Sequence, residues 1–241
     1  LAGEAPGLFY GYVTQGIVQK EDITENGIKY IKQDGSVGYY QTVNKTTPVA
    51  GDVKYVDRNG DGVVDDNDRD IIGNPNPDFT YGFQTKVSWK SLSLSASFNG
   101  VQGRDILNVG NRYNNTPGTK SNNVTRKAFQ NMWTDENPSN LYPKSTFVVQ
   151  NMVMDRYVED VSYLRCSDIT LSYVLPAKWT NKIGIKNTSV YASVKNAFVI
   201  TDYSGYDPEV NSFAFDGLRP GVDMNSYPTP RSFVFGLNLT F

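Results

Sequence analysis

The ten C-terminal residues, from Ser232 to Phe241, read SFVFGLNLTF, and their pattern decides the fold class. Every second residue is apolar, at Phe233, Phe235, Leu237, Leu239 and Phe241. Side chains of a β-strand point alternately to the two faces of a sheet, so an apolar period of two gives a strand with one apolar face. The sequence therefore predicts a strand over 232–241.

The same alternation recurs upstream in the chain. Clear strands are predicted at 79–89, 92–99 and 169–175, and segments with strand composition but no clean face lie at 9–18 and 190–200. Leu164 and Cys166 are out of phase with Ile169, which predicts a β-bulge near Ser167 and Asp168. These six strands and the lack of a comparable amphipathic helix indicate an all-β fold.

The connections between the predicted strands alternate in length. Little more than Lys90 and Ser91 separates the second strand from the third, whereas long connections occupy about 20–78, 103–160 and 202–229. Such loops are uncommon in compact soluble domains. Outer-membrane barrels combine short periplasmic turns with long extracellular loops, and they need at least about eight strands to close. We therefore expect the C-terminal part of a large antiparallel transmembrane β-barrel, with its other strands upstream.

The two faces of the predicted strands support this interpretation. Ser, Thr, Asn, Gly and Gln dominate the face opposite the apolar one, as expected for the wall of a water-filled lumen. Trp89 lies at a strand end beside the short turn, where barrels carry aromatic girdles. The alternative is a soluble β-sandwich, whose strands also alternate.

Composition excludes several classes of protein. The 241 residues include 23 Lys and Arg and 25 Asp and Glu, so a net charge of −2 argues against an extended nucleic-acid interface. No apolar run approaches the roughly 18 to 20 residues of a transmembrane helix. The absence of His excludes histidine triads and His-ligated metals, and a single cysteine, Cys166, excludes an internal disulfide.

The most specific local motif is DRNGDGVVDDND, from Asp57 to Asp68. Its spacing matches a calcium loop of the EF-hand kind, with Gly62 at the position of the sharp turn. The predicted ligands are the side chains of Asp57, Asn59, Asp61, Asp65 and Asp68 and the carbonyl of Val63. Asp68 replaces the usual bidentate Glu, as in dockerin-type loops. We predict structural calcium, and the alternative is an acidic turn held by Asx hydrogen bonds.

Catalytic motifs are missing. Asp65, Asp66, Asp68 and Asp70 lie in one polar turn without the apolar pocket that raises the pKa of a general acid. The sequence has no Ser-x-x-Lys, no Gly-x-Ser-x-Gly and no phosphate-binding glycine loop. We therefore expect that the protein is not an enzyme. Aromatic residues in the predicted loops either stack on sugars or pack the loops together: Tyr113, Trp133, Tyr142, Tyr203 and Tyr206.

Several motifs, taken in order along the chain, resemble the SusC/RagA family of TonB-dependent outer-membrane transporters. They are FYGY at 9–12 with GI at 16–17, GDVKY at 51–55 before DRNGDG, IIGNPNP at 71–77 before FTYGF, DRYVED at 155–160 before YLR, YSGYDPE at 203–209, and PTPR at 228–231. The resemblance extends over essentially the whole chain. It implies the last six or so strands of a large barrel, in a fragment that lacks the N-terminal plug and TonB-contacting segment.

The resemblance also implies a function, a location and partners. A SusC-like transporter imports oligosaccharides or peptides across the outer membrane with energy relayed by TonB, and a SusD-like surface lipoprotein caps its extracellular mouth. The long loops are the expected contact surface for that lipoprotein. Alternatives are a siderophore or vitamin receptor of the TonB-dependent type, and a secreted calcium-binding adhesion module.

Overall fold

The computed structural model describes residues 3–116, 123–145, 152–180, 185 and 187–240, and most of its regular structure is β-strand. In chain order the strands are β1 (Phe9–Tyr12), β2 (Thr14–Ile17), β3 (Ile23–Thr24), β4 (Gly27–Ile31), β5 (Val37–Tyr40), β6 (Thr42–Val43), β7 (Val53–Tyr55), β8 (Val63–Val64), β9 (Arg69–Gly73), β10 (Phe79–Trp89), β11 (Leu92–Gln102), β12 (Asp105–Asn108), β13 (Val158–Asp160), β14 (Tyr163–Val174), β15 (Asn187–Thr201), β16 (Val222–Asp223) and β17 (Ser232–Thr240).

Helices are few and short. They are α1 (Val109–Asn115), α2 (Arg126–Asn131) and α3 (Ala177–Thr180), with 3-10 turns at Lys20–Asp22, Asp66–Asp68 and Asp155–Tyr157. Within the described ranges, no helix has the length and apolar character needed to cross a membrane.

The chain forms two compact units. We call the first the sheet unit (77–104, 160–210 and 227–241) and the second the loop unit (1–76, 105–159 and 211–226). The sheet unit contains one five-stranded antiparallel sheet in the order β10-β11-β14-β15-β17. The five strands predicted from 79 onward are therefore confirmed, although β14 begins at Tyr163 and β15 extends from Asn187 to Thr201.

The predicted bulge is also present. The register between β14 and β15 shifts between Cys166 and Asp168, and the facing strand β11 shifts between Ser97 and Phe98. Because a bulge adds one residue to one strand, it lets the apolar alternation resume in phase beyond it. This shift explains why Leu164 and Cys166 are out of phase with Ile169 in the sequence.

Large apolar side chains are exposed on the sheet. Trp89 is 68% exposed, Phe235 is 79% exposed and Phe83 is 53% exposed. Cross-strand pairing places these residues on one face. Phe83 lies opposite Phe98 and Trp89 opposite Leu92, and Phe235 is aligned with Leu94 of the same face through Ala192 and Leu171. The other face carries Ser, Thr, Gln and Lys side chains, and Lys195 forms an ion pair there with Asp168 at 2.6 Å. A continuous apolar face of this extent is unusual for the surface of a soluble monomer.

The first predicted strand, 9–18, does form β-structure, but as two short strands of the loop unit and not as one strand of this sheet. It divides into β1, which pairs with β9, and β2, which pairs with β7, all within the loop unit. Gly16 has a φ of +90°, a backbone conformation that interrupts a regular strand. The segment 9–18 has no single apolar face, which is consistent with packing on both of its sides within the loop unit.

The long connections are folded rather than extended loops. The ranges 20–78, 103–160 and 202–229 contain strands β3 to β9, β12, β13 and β16 and helices α1 and α2. Together with β1 they share a core built around four tyrosines that are at most 2% exposed, Tyr12, Tyr30, Tyr40 and Tyr55. The sequence analysis treated these connections as loops and did not predict their internal structure.

One cross-strand contact in the sheet depends on a glycine. Gly236 of β17 lies opposite Tyr191 of β15, and a Cβ at position 236 would lie 2.2 Å from the tyrosine ring. The aromatic ring therefore occupies the space above the glycine, which fixes the register of the last strand pair.

We expect Gly236→Ala to lower the free energy of unfolding of the full-length protein by about 1 kcal/mol, because the end of the Tyr191 ring must move. Adding Tyr191→Ala should recover part of that loss, and Gly217→Ala, whose Cβ would meet nothing within 4 Å, serves as the control. Thermal unfolding of the purified receptor in detergent measures the difference. Equal losses for Gly236→Ala and Gly217→Ala would contradict the packing argument.

Candidate functional site

The acidic loop, 57–68, lies in the loop unit between β7 and β9. Asp65 caps the 3-10 turn Asp66–Asp68 in a reciprocal capping box with Asp68. Strand β8 lies inside the loop and pairs in parallel with β6, through Thr42 with Val63 and Val43 with Val64. Local hydrogen bonding and this strand pair together give the loop a defined shape.

Asp57 organises the first half of the acidic loop. Its side chain accepts hydrogen bonds from the backbone N–H groups of Gly60 at 2.7 Å and Gly62 at 2.8 Å. Gly62 adopts a φ of +87°, which favours glycine at the turn. Tyr30 of β4 donates a hydrogen bond of 2.6 Å to the Asp57 carbonyl oxygen, so the loop is tied to the tyrosine core.

Asp68 closes the second half of the acidic loop. Its carboxylate is fully buried and accepts hydrogen bonds of 2.8 Å from the N–H groups of Arg58 and Asp65. Asp57 and Asp68 are therefore two buried carboxylates in one loop, each satisfied by backbone amides rather than by a basic side chain. A buried charge of this kind is tolerated only when such donors surround it.

The remaining predicted ligands lie nearer to solvent. Asn59 and Asp61 are exposed and Asp65 is partly buried. Asp61 accepts a hydrogen bond from the N–H of Val63, and Asp65 accepts one from the N–H of Asn67. The six predicted ligands therefore lie in one loop, with Asp57 and Asp68 buried and Asn59 and Asp61 exposed. Among the described residues, no three Asp, Glu or Cys side chains already converge closely enough to hold a metal.

Electrostatics in the acidic loop disfavour a charged Asp57. Burial raises the pKa of this carboxyl, the amide hydrogen bonds from Gly62 and Gly60 lower it, and the charges of Asp68 and Asp61 raise it further, so that the net pKa is raised. A folded-state pKa above the unfolded value means that the ionised carboxylate costs stability at neutral pH, and that acidification or a nearby cation relieves this cost.

The loop aromatics divide into packed and open residues. Trp133 is 8% exposed and donates from Nε1 to the Gln19 side chain at 3.0 Å, and Tyr203 is also buried. Tyr206, by contrast, is 73% exposed. Trp133 and Tyr203 therefore pack within the protein, whereas the ring of Tyr206 is accessible to a ligand.

The sequence analysis missed a buried ionic cluster in the sheet unit. Arg165 of β14 is 5% exposed, and its guanidinium contacts Asp207 at 2.5 Å. Its Nε atom lies 3.1 Å from Glu209, at ion-pair distance but without hydrogen-bond alignment. Tyr163 and Asn99 both donate to the same Glu209 oxygen. The YLR and YSGYDPE motifs contain four of these five residues, but sequence alone does not pair segments 40 residues apart.

Asp207 is the most tightly held member of this ionic cluster. It accepts hydrogen bonds from the backbone N–H groups of Glu209 and Thr229, both at 3.0 Å. Burial alone would raise its pKa, but these hydrogen bonds and the charge of Arg165 hold the pKa below its usual value. The stabilisation from the ionised carboxylate is therefore present at neutral pH and is lost as the pH falls through the folded-state pKa.

We expect Asp207→Asn to destabilise the full-length protein by about 3 kcal/mol, because it leaves a buried guanidinium without its closest charge partner. Asp202→Asn, an exposed aspartate of the same segment, should change stability by less than about 0.5 kcal/mol. Denaturant unfolding at neutral pH measures both variants. The stabilities of Asp207→Asn and of the unsubstituted protein should begin to converge as the pH falls below about 4, the unfolded-state pKa of an aspartate. They should become equal only below the lower folded-state pKa of Asp207. Similar midpoints for both variants at neutral pH would contradict the assigned role.

Comparison with known proteins shows which proteins the chain is similar to. No family model matches it. The TonB-dependent receptor P3 of Formosa agariphila is 33% identical over 244 residues, which cover 99% of this chain and 22% of that protein. The TonB-dependent receptor SusC of Bacteroides thetaiotaomicron is 34% identical over 194 residues, 78% of this chain and 17% of that protein. The RagAB peptide importer in an open-open state superposes with a TM-score of 0.66 and 26% identity, over 98% of this chain and 22% of that one.

The class defined by these findings is the TonB-dependent receptor, a transporter class and not an enzyme class. Within this class, the chain is homologous to the SusC/RagA family, which confirms the resemblance found in the sequence. The chain spans about a fifth of the length of the curated relatives that it matches.

Proposed function

We propose that the chain is the C-terminal part of the β-barrel of a SusC-like transporter in the bacterial outer membrane. The observation that carries this proposal is the exposed apolar face of the sheet, opposite a face of hydroxyl and amide side chains. Lipid would cover the first face, and a water-filled lumen would lie against the second. Ser88 and Ser93, for example, share a cross-strand hydrogen bond of 2.8 Å on the polar face.

The edges of the sheet support a larger barrel. Within the described ranges, β10 pairs only with β11, and β17 pairs only with β15. Long unpaired strands inside a membrane would leave backbone groups without hydrogen-bond partners, which is too costly to persist. The remaining strands of the barrel would pair with these two edges.

The proposed activity is import of oligosaccharides or peptides across the outer membrane, with energy relayed by TonB through a region outside this chain. Support comes from the similarity to SusC and to the RagAB peptide importer. The siderophore or vitamin receptor and the secreted adhesion module are less favoured, because the similarity found is to the SusC/RagA branch.

The proposed partners follow from the same relatives. The match to RagAB supports a SusD-like partner, and the names of the relatives, TonB-dependent receptors, support TonB. We propose that a SusD-like lipoprotein contacts the loop unit on the extracellular side. Deletion of the lipoprotein should then reduce import without removing the receptor from the outer membrane.

Topology is the first test of the barrel. A tag inserted at Gly35, in the exposed turn between β4 and β5, should be labelled by antibody on intact cells that express the full-length receptor. A tag between Lys90 and Ser91, in the short turn between β10 and β11, should be labelled only after permeabilisation. The reverse pattern would contradict the assignment of long and short connections. Phe241, the last residue of the predicted strand over 232–241, lies outside the described residues.

Energy coupling tests the transport function. Uptake of labelled oligosaccharides or peptides by cells expressing the full-length receptor should fall to background when TonB is depleted. Surface labelling at Gly35 should remain unchanged, because TonB drives transport rather than assembly. Uptake that persists without TonB would contradict the proposal.

We also propose that the acidic loop binds calcium in a structural role. The motif spacing, the turn at Gly62 and the raised pKa of Asp57 support this proposal, since a divalent cation would offset the cost of its ionised carboxylate. Extracellular calcium-binding modules have dissociation constants of about 10⁻⁴–10⁻³ M, which suits a loop on the cell surface.

Asp61→Asn tests the proposed calcium site, because it removes one charge but retains an oxygen that can accept from the Val63 N–H. We expect calcium affinity, measured by calorimetry on the purified full-length receptor, to fall about tenfold, because ligand charge tunes affinity. Asp34→Asn is a matched control, since Asp34 accepts a similar local bond from Ser36 outside the loop. Calcium binding that is absent, or equally affected by both changes, would identify the loop as an acidic turn.

A further inference from the structure

Both carboxylates of the ionic cluster lie on one short segment, 203–210, which follows β15 and which we call the strap. Asp207 pairs with Arg165 of β14, and Glu209 accepts hydrogen bonds from side chains of β11 and β14. The N–H of Thr229, which precedes β17, donates to the Asp207 carboxylate at 3.0 Å. The strap is therefore tied to the sheet on both sides of β15.

The strap lies on the polar face of the sheet. Asn99 and Arg165 are cross-strand partners, and both contact the strap. Phe98 directly precedes Asn99 and points to the opposite face, where its ring centroid lies 4.5 Å from that of Phe83 and 6.4 Å from that of Phe198. The polar face lines the lumen of the proposed barrel, so the strap lies inside that lumen.

One side of the strap is packed. Tyr203, Asp207, Pro208 and Val210 are all buried. Gly205 permits this packing, since a Cβ there would lie 2.4 Å from the Tyr203 ring. The N–H of Val210 donates to the Asp207 carbonyl oxygen at 3.3 Å. These contacts and the ion pair to Arg165 hold the backbone of the strap in a fixed conformation.

Tyr206 is the large side chain on the open side of the strap. It directly precedes the buried Asp207, and yet its own side chain is exposed. Within the described ranges, its hydroxyl makes no hydrogen bond and its ring makes no aromatic or cation–π contact. A tyrosine has few rotatable bonds, so on a fixed backbone it offers a large contact area at little cost in conformational entropy.

The surroundings of Tyr206 favour a neutral sugar as its ligand. The one guanidinium of the ionic cluster is shared by two carboxylates, so the cluster offers no free cation to an acidic ligand. Glu209 also accepts from Tyr163 and Asn99, so it already has its donors. The hydroxyl and amide side chains of the polar face can exchange hydrogen bonds with sugar hydroxyls. A tyrosine ring adds an apolar π surface for the C–H groups of a pyranose.

We propose that Tyr206 contacts a neutral oligosaccharide in the lumen by stacking on one of its sugar rings, and that the strap holds the tyrosine in position. The inference deepens the proposed import function, because it names a substrate-contacting residue and chooses oligosaccharides over peptides. It rests on that function for the position of the strap in a lumen, but equilibrium binding is measured without TonB.

The test uses the purified full-length receptor with an array of neutral oligosaccharides and an array of short peptides. We expect neutral oligosaccharides to bind, and calorimetry with the strongest of them gives the dissociation constant of each variant. Tyr206→Ala should raise this constant about tenfold or more, because it removes the stacked ring. Tyr206→Phe should retain most of the affinity, whereas Tyr206→Leu, which is apolar but has no π surface, should resemble Tyr206→Ala. Tyr39→Ala, at an exposed tyrosine of β5, is the control and should change nothing.

A labelling experiment locates the contact independently. In a full-length receptor whose other cysteines are replaced with serine, Tyr206→Cys should react with a water-soluble maleimide, and a saturating amount of the same oligosaccharide should slow this reaction. Ser36→Cys, in the exposed turn between β4 and β5, should react equally fast with and without the oligosaccharide.

Several outcomes would overturn the proposal. They are binding of peptides alone, equal affinities of Tyr206→Ala and the unsubstituted receptor, and a reaction at Tyr206→Cys that the oligosaccharide does not slow. A lower melting temperature of Tyr206→Ala with unchanged affinity would also overturn it, because the ring would then pack against another part of the receptor.

The failure of this inference differs from the failure of the proposed function. If affinity does not depend on Tyr206 but uptake still depends on TonB, only the assignment of Tyr206 is wrong. If uptake is independent of TonB but the Tyr206 variants differ in affinity as expected, the assignment of Tyr206 stands and the transport proposal is wrong.

Discussion

The apolar face of the five-stranded sheet must be kept from water, and within the described part of the chain it is not covered. Phe83, Trp89 and Phe235 are each more than half exposed, on a face that runs along strands of nine to fifteen residues. At about 25 cal/mol per Å² of apolar area, such a face would be costly in water. A membrane removes this cost, and it also forbids unpaired strand edges, so one constraint leads to both the lipid face and the larger barrel in our proposal.

The loop unit is stabilised by different interactions from the sheet. It holds long connections in a fixed shape by burying tyrosines and by satisfying buried charges with backbone amides. Asp57 and Asp68 accept only from amide groups among their hydrogen bonds in the described structure, whereas Asp207 of the sheet unit also has Arg165. A buried carboxylate that loses a hydrogen-bond donor is costly in a medium of low dielectric constant. The hydrogen bonds to Asp57, Asp68 and Asp207 therefore favour one conformation of the connections over many.

The sequence predicted the sheet well because a period of two is a local signal. Strand β10 was predicted with its observed bounds, and the phase change near Ser167 correctly located the bulge. The structure of the connections was not predictable in the same way, since β1 pairs with β9 about 60 residues later and their short strands lack a clean face. The ligands of the acidic loop could be named because they lie within twelve residues. The Arg165 cluster and the strap that it holds depend on contacts between distant segments, which no local pattern reveals.

The most direct measurement of the central claim, that the sheet is a transmembrane barrel wall, is a cysteine scan along β10 in the full-length receptor. Cys166 of this chain is buried, and the scan starts from a receptor in which Cys166 and every cysteine outside this chain are replaced with serine. Single cysteines at successive positions from Phe79 to Trp89, examined in outer membranes, should alternate. Positions on the Phe83 face should react with a lipid-soluble reagent, and the positions between them with a water-soluble one. Uniform reaction of all eleven positions with the water-soluble reagent would show that no lipid covers this face, and the barrel assignment would be wrong.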